Sequence, residues 1–345
     1  MRAAYIHGVK DVRIGEKDTL PNSGEEVLIR VSGVGVCGSD LHYYLEGGIG
    51  AAVIHEPFVP GHEFAGRVVE DRPDLGLHAG QLVAVDPAMH CGHCEWCERG
   101  YVNLCPNVVF LGAPPYDGAM TENIAVRPEQ IFPLPNGFTV SQAVMLEPLG
   151  VAMHAIDLAK PQILENVAVL GCGPIGLCLV QLAKLAGAAT VCAIDPVDYR
   201  ADAARRLGAD VSGPEHTLIE EWTDGCGTEL VVEATNSPLG FQHAAEAAKI
   251  GGRVVLAGIP DGDQYGLGAA LPRRKGLTVK FSRRMGHVYP RAIRLVSEGR
   301  VDVESIVTHR FALEESRKAF ELQSECREGA VKSVIFPDGT EWPGT

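Results

Sequence analysis

The stretch from Val167 to Arg200 constrains the fold more than any other. Val167 to Leu170 is a short apolar run, the pattern of a strand buried on both faces. Gly171, Gly173 and Gly176 follow within Gly-Cys-Gly-Pro-Ile-Gly. From Ile175 to Ala186 the chain is apolar with few breaks and reads as a helix laid on a sheet. Gly187 ends it, and Thr190 to Ile194 makes a second strand that runs into Asp195. Strand, glycine turn, helix, strand and acid are, in that order, the parts of a βαβ unit that binds a dinucleotide. The first glycine permits the tight turn, the second lets backbone approach a pyrophosphate, and the third lets helix and strand meet closely. Pro174 and Ile175 open the helix, whose first amides face the phosphates. Asp195 stands 19 residues after Gly176. A carboxylate there accepts hydrogen bonds from ribose hydroxyls and repels a 2′-phosphate, so NAD is favoured over NADP. Arg200 borders the adenine or faces solvent.

A chain of 345 residues is long for one domain, and 46% hydrophobic residues are ample for a large core; two domains are expected. The net charge of −14 excludes a nucleic acid or an anionic membrane as the natural partner. No run of 18 apolar residues occurs, and Met1 to Ile14 lacks the basic-then-apolar pattern of a secretory leader. The expected compartment is the cytoplasm.

Around the nucleotide unit the texture changes. Up to about residue 148 the chain looks β-rich, with strands at Val27 to Val31, Phe64 to Glu70 and Gln81 to Val85. Turn signals at Pro21-Asn22-Ser23-Gly24 and Pro114-Pro115-Tyr116-Asp117-Gly118 punctuate it. Ser141 to Leu158 reads as a helix crossing between domains. Strands at Glu229 to Ala234 and Arg253 to Ala257 flank a helix at Phe241 to Lys249, and Leu277 to Phe281 is the last strand of a doubly wound parallel sheet. The tail reads as a helix at Tyr289 to Glu298, a mixed loop, a helix at Leu313 to Leu322 and a strand at Val331 to Phe336. It is expected to return to the first domain.

Ten cysteines are present, and Cys91, Cys94, Cys97 and Cys105 crowd into one loop. In an intracellular chain such density points to metal rather than disulfides. Four thiolates close a tetrahedron around Zn²⁺ and leave no position open, so this feature is structural. Cys172, Cys178 and Cys192 read as small core residues. A second signal is dispersed over Cys37, His62, Glu63 and Glu147. Each is weak alone: a lone cysteine is commonly core, a lone histidine commonly a satisfied polar residue, and Glu147 could cap a helix.

The chain resembles the zinc-dependent medium-chain alcohol dehydrogenases over nearly its whole length. The resemblance is carried by GVCGSDLH (35–42), PGHEFAG (60–66), CGHCEWCERGYVNLC (91–105), LEPLGVAMHA (146–155) and GCGPIG (171–176). Within that family it is most similar to the sorbitol (polyol) dehydrogenase branch, through CGSDLHYYLEGGIG (37–50), APPYDG (113–118) and a glutamate at 147 where the alcohol branch has a cysteine ligand. The resemblance implies an α/β architecture: a GroES-like β-rich catalytic domain from 1–150 and 285–345, and a Rossmann NAD-binding domain from 151–284. It implies a catalytic Zn²⁺ on Cys37 and His62. Glu63 is a direct ligand in polyol-dehydrogenase relatives and stands behind the ligands in others. Glu147 matches the third-ligand position, binding directly or through water.

The resemblance further implies hydride transfer from a secondary alcohol of a polyol to NAD, giving a ketose, with zinc as Lewis acid. Ser39 and His42 match the family's proton relay. Tyr43 and Tyr44 follow His42, near where polyol dehydrogenases place an aromatic beside the substrate, and Arg284 matches an arginine that hydrogen-bonds the polyol through water or directly. The residue after that arginine is usually tyrosine in sorbitol enzymes and here is Met285, which removes a hydroxyl. L-Threonine 3-dehydrogenases share the zinc and nucleotide motifs but lack the HYY and EGGIG runs. A non-catalytic nucleotide-binding relative is the reading of another class, and loss of a ligand would signal it. Relatives are mostly tetramers or dimers, so a homo-oligomer is expected.

Overall fold

Six strands from the middle of the chain form one sheet in the order Val211–Gly213, Thr190–Ile194, Asn166–Leu170, Thr228–Glu233, Ala248–Leu256, Thr278–Phe281. Every neighbouring pair is parallel. The chain enters at the centre, winds outward to one edge, then returns to wind toward the other. The direction reverses between Asn166–Leu170 and Thr228–Glu233, the place where open parallel sheets bind ligands beyond the carboxyl ends of their strands. The computed structural model describes residues 1–18, 25–266 and 268–339. The expected turn at Pro21-Asn22-Ser23-Gly24 lies outside them. No helix among the described residues is long and apolar enough to cross a membrane.

Two compact units are present: Met1–Glu147 with Tyr289–Thr345, and Pro148–Val288. In the second, the near-continuous apolar strands are buried on both faces, with Ala168, Leu170, Cys192, Val231 and Val254 in its core. The helix Pro174–Leu185 buries Gly176 through Ala183 without interruption. Cys172, Cys178 and Cys192 are fully buried, as their apolar neighbours require.

In the first unit the strand Val27–Gly35 is central. Glu63–Val68, Asn123–Val126 and Lys332–Phe336 all pair with it antiparallel. Leu82–Val85 and Ile131–Pro133 extend the sheet on one side, and Val307–Ala312 closes the other, parallel to Lys332–Phe336. The chain's last strand is thus built into the same sheet as its early ones. Ile29, Val31, Val34, Phe64 and Ile335 share the core with Phe320 from the helix Ser316–Ser324.

Three features differ from the sequence reading. Arg2–Gly8 and Asp11–Glu16 form a hairpin that the sequence did not announce. The mixed loop holds Val307–Ala312, an edge strand whose outward positions are polar and mask its period. The single helix expected at 141–158 is two, Val140–Val144 and Leu146–Ala159. Thr139 caps the first by accepting the Gln142 N–H at 3.0 Å.

The glycine turn after Asn166–Leu170 distinguishes its three glycines. Gly171 has φ +90°, and a Cβ on it would lie 2.6 Å from the Ala234 carbonyl oxygen. A Cβ on Gly176 would lie 1.8 Å from the Gly171 carbonyl oxygen. At Gly173 a Cβ meets nothing within 4 Å. Gly176→Ala is therefore expected to destabilise the protein by about 2–4 kcal/mol, and Gly173→Ala by no more than about 1 kcal/mol. Thermal unfolding of the two variants beside the parent checks the contrast; equal melting points would refute it.

Candidate functional site

The strand Val27–Gly35 delivers Val36 and then Cys37, the residue that opens the helix Gly38–Glu46. One carboxylate organises what surrounds it. Asp40 is fully buried; its Oδ2 accepts the Cys37 N–H at 2.9 Å and its Oδ1 accepts the Gly61 N–H at 3.1 Å. Two segments far apart in sequence are tied at one point, so that Cys37 and His62 face each other. Burial raises the Asp40 pKa above the usual carboxylate range, while His62 and both amides pull it back.

His62 is 4% exposed. Its Nε2 lies 3.5 Å from the Ser39 hydroxyl, and its Nδ1 is 3.8 Å from Asp40 Oδ1, buried without a hydrogen bond. Glu63 is equally buried and accepts a hydrogen bond from the Lys332 ammonium at 2.5 Å. Lys332 also donates to the Val36 carbonyl at 2.9 Å. Burial works against that ammonium, yet Glu63 and Cys37 outweigh it and hold its pKa above the ordinary lysine value.

Donor atoms of Cys37, His62 and Glu63 all lie within 4.8 Å of one another. Burial, then Glu63, pushes the Cys37 thiol pKa well up; a cation at the site would reverse that and hold the thiolate. The orphaned imidazole nitrogen and the sulfur, nitrogen and oxygen donor set fit Zn²⁺. Glu147 is not in this set. It is buried nearby, and burial raises its pKa to about 8, with His62 opposing and Glu63 adding to the rise.

The four clustered cysteines make a different centre. Their sulfurs are 3.5 Å apart for Cys94 and Cys97, 3.6 Å for Cys91 and Cys105, 3.9 Å for Cys94 and Cys105, and 4.0 Å for Cys91 and Cys97. A tetrahedral Zn²⁺ with sulfur ligands has edges of about 3.8 Å, so the cluster already has the metal's shape. The thiols are unequal: the His93 amide lowers the Cys91 pKa to about 6, whereas desolvation raises that of Cys97 to about 12. Only a cation lets all four ionise together.

In the nucleotide unit, Asp195 is buried at the end of Thr190–Ile194. Its Oδ2 accepts the Cys172 N–H at 2.8 Å and its Oδ1 the Val197 N–H at 2.9 Å. Arg200 does not simply face solvent: it is partly buried, with Nε shielded and lacking a hydrogen bond, and its charge acts on the Cys172 thiol. The open space at Gly173, the fixed carboxylate and the orphaned guanidinium nitrogen fit a dinucleotide.

The remaining expected residues are spread out. His42 is buried and its Nδ1 pairs with Glu46 at 2.9 Å. Tyr43 is a core residue, edge-on to Phe58 with ring centroids 5.5 Å apart. Arg284 takes φ +53°. Met285 is buried against Gly150, where a Cβ would come within 2.3 Å of its sulfur. Two residues escaped the sequence reading, Asp40 and Lys332. The signal for Lys332 was a lone charge inside Val331 to Phe336, an otherwise core-like strand.

Residues 23–136 match the alcohol dehydrogenase GroES-like domain, and residues 174–298 the zinc-binding dehydrogenase family. The chain is 33% identical to the sorbitol dehydrogenase of Bacillus subtilis (strain 168), with 98% of each chain covered. Its fold matches that of L-idonate 5-dehydrogenase from Escherichia coli with a TM-score of 0.88 at 27% identity, covering 97% of this chain and 98% of the other. It also matches a short chain alcohol dehydrogenase from E. coli CFT073 complexed with NADH, with a TM-score of 0.87 at 28% identity, covering 98% and 99%. The chain therefore belongs to the zinc-binding alcohol dehydrogenase family that includes the sorbitol dehydrogenases, and it is an oxidoreductase.

Proposed function

We propose that the protein oxidises a secondary alcohol of a polyol to a ketose with NAD, at a Zn²⁺ held by Cys37, His62 and a glutamate. The observation that carries this is the convergence of a partly exposed Cys37 with buried His62 and Glu63 in a chain whose relatives include sorbitol dehydrogenases. When bound, zinc supplies Lewis-acid polarisation of the substrate oxygen, and NAD accepts the hydride. The chain's own residues do the rest. Asp40 fixes the backbone on either side of the site. Lys332 holds one oxygen of Glu63, leaving the other to face the cluster or to stand back from it. Glu147 is the alternative third ligand. Ser39 would accept the alcohol's proton at its hydroxyl oxygen as it gives up its own, and a proton that reaches His42 can leave through Glu46, the more exposed end of their pair. Gly173 gives the pyrophosphate its room and Asp195 holds the ribose. Tyr43 and Arg284 are the residues by which we expect the polyol to be read, Tyr43 through packing and Arg284 through its guanidinium.

The four-cysteine loop binds a structural Zn²⁺. The enzyme works in the cytoplasm, the kind of compartment in which a cysteine cluster of this density is kept reduced for metal. It assembles as a dimer or tetramer. The support is Thr278–Phe281, an edge strand of the parallel sheet that leaves Phe281 66% exposed.

A spectrophotometric screen for NADH with sorbitol, xylitol, galactitol and L-threonine tests the reading. Turnover with a polyol is expected, and turnover with L-threonine alone would replace the substrate class. Cys37→Ser and His62→Ala should each lower kcat/KM by about 10³-fold or more, several kcal/mol of lost polarisation, and remove one zinc per chain. Wild-type turnover in either variant would sink the mechanism. Cys97→Ser should also cost one zinc but act mainly on the melting point, because a closed site does no chemistry. Gly173→Ala should weaken NAD binding at nearly unchanged stability, which calorimetric titration reads directly.

A further inference from the structure

A third group of metal-ligating side chains lies in the unit Pro148–Val288, among residues that the proposed reaction does not use. His216 immediately precedes the helix Thr217–Trp222, and His243 and Glu246 belong to the helix Gly240–Ala247. Residues three apart share a helix face, so His243 and Glu246 point the same way. Across from them, His216 Nε2 lies 3.1 Å from Glu246 Oε2. The two imidazoles stack with centroids 4.1 Å apart and planes 13° from parallel. One donor atom from each residue falls within 4.8 Å of the other two. In a tetrahedral Zn²⁺ site with nitrogen and oxygen ligands the donors are about 3.4 Å apart. One edge of that figure is therefore present, and His243 would have to turn out of its stack on His216 for its ring nitrogen to reach the same ion.

We propose that His216, His243 and Glu246 bind a divalent transition-metal ion, Zn²⁺ foremost, at a site separate from the two zinc centres. Two imidazoles and a carboxylate suit this class of ion, and three protein ligands leave one position open to water. The surroundings favour metal over a plain ion pair. Gln242 donates to Glu246 Oε1 at 3.0 Å and aims the carboxylate, as outer partners of metal ligands do. The nearby cation, Lys275, spends its hydrogen bonds on the carbonyls of Ala245, Glu246 and Ala248 rather than on that carboxylate. A bound ion would clamp the start of Thr217–Trp222 to Gly240–Ala247.

The test uses the full-length enzyme with its other zinc left in place. After equilibrium dialysis against micromolar Zn²⁺, metal is counted in the parent and in His216→Ala, His243→Ala and Glu246→Gln. We expect the parent to hold one ion per chain more than each variant. We also expect Zn²⁺ to raise the parent's melting point by about 5 °C when well above its dissociation constant, and to leave the variants unmoved. Equal counts in parent and variants, or a zinc-dependent rise that survives all three substitutions, would overturn the proposal. The readout is a difference in metal content, so an inactive enzyme or an empty Cys37 site cannot imitate either result.

Discussion

The Lys332 ammonium sits where water does not reach, held by one carboxylate oxygen of Glu63 and the carbonyl of Val36. Taking both charges out of water is costly, and the pair stands only because each satisfies the other. Removing one partner of such a pair costs about 3–5 kcal/mol, since the survivor remains buried and uncompensated. The interaction joins residues 269 apart in sequence. It also explains why the first unit needs both ends of the chain: Lys332–Phe336 pairs with Val27–Gly35, and that pairing sets the ammonium beside the residues flanking Cys37. Gln323 reinforces the join, donating to the same Val36 carbonyl at 2.7 Å while accepting the Ser333 N–H at 2.7 Å.

Two metal centres in one unit illustrate opposite uses of the same chemistry. Around Cys37 the fold supplies everything first: a packed sheet, a buried Asp40 and a buried ion pair, with the donors converging on a place already dry. The Cys91 to Cys105 loop has little core of its own, and three of its four cysteines are partly exposed. There the ion takes the place of a core, since a tetrahedron of thiolates contributes folding free energy outright. Four ligands close one site. The donors of Cys37, His62 and Glu63 would leave the other a position open, as the proposed reaction needs.

Sequence carried the nucleotide unit almost whole because its physics is local. Strands buried on both faces spell near-continuous apolar runs, and a tight turn must be written in glycine. The four-cysteine loop was legible for the same reason, its ligands lying within one short segment. The Cys37 centre was not legible from spacing: Cys37 meets His62 and Glu63 only through long-range pairing, and family resemblance supplied the connection. Asp40 and Lys332 went unseen because a buried charge looks like a surface charge until its partner is known. The hairpin Arg2–Gly8 with Asp11–Glu16 and the strand Val307–Ala312 were missed for a related reason. Their polar positions alternate at sheet edges, where hydrophobic period is weakest.

The nucleotide turn carries one carboxylate that the chain alone holds in place. Each oxygen of Asp195 already accepts a backbone N–H. Those bonds keep it aimed, and each oxygen keeps a further lone pair. A 2′-phosphate would have to set its charge against a fixed one in a buried position, where screening is poor. The partly buried guanidinium of Arg200 acts in the opposite direction, since it is the charge that would welcome that phosphate. Asp195 is anchored at both oxygens, whereas the Arg200 Nε has no hydrogen bond to hold it. Of the two side chains it is the carboxylate that is pinned, by the backbone amides of Cys172 and Val197, the arrangement the proposed use of NAD would need.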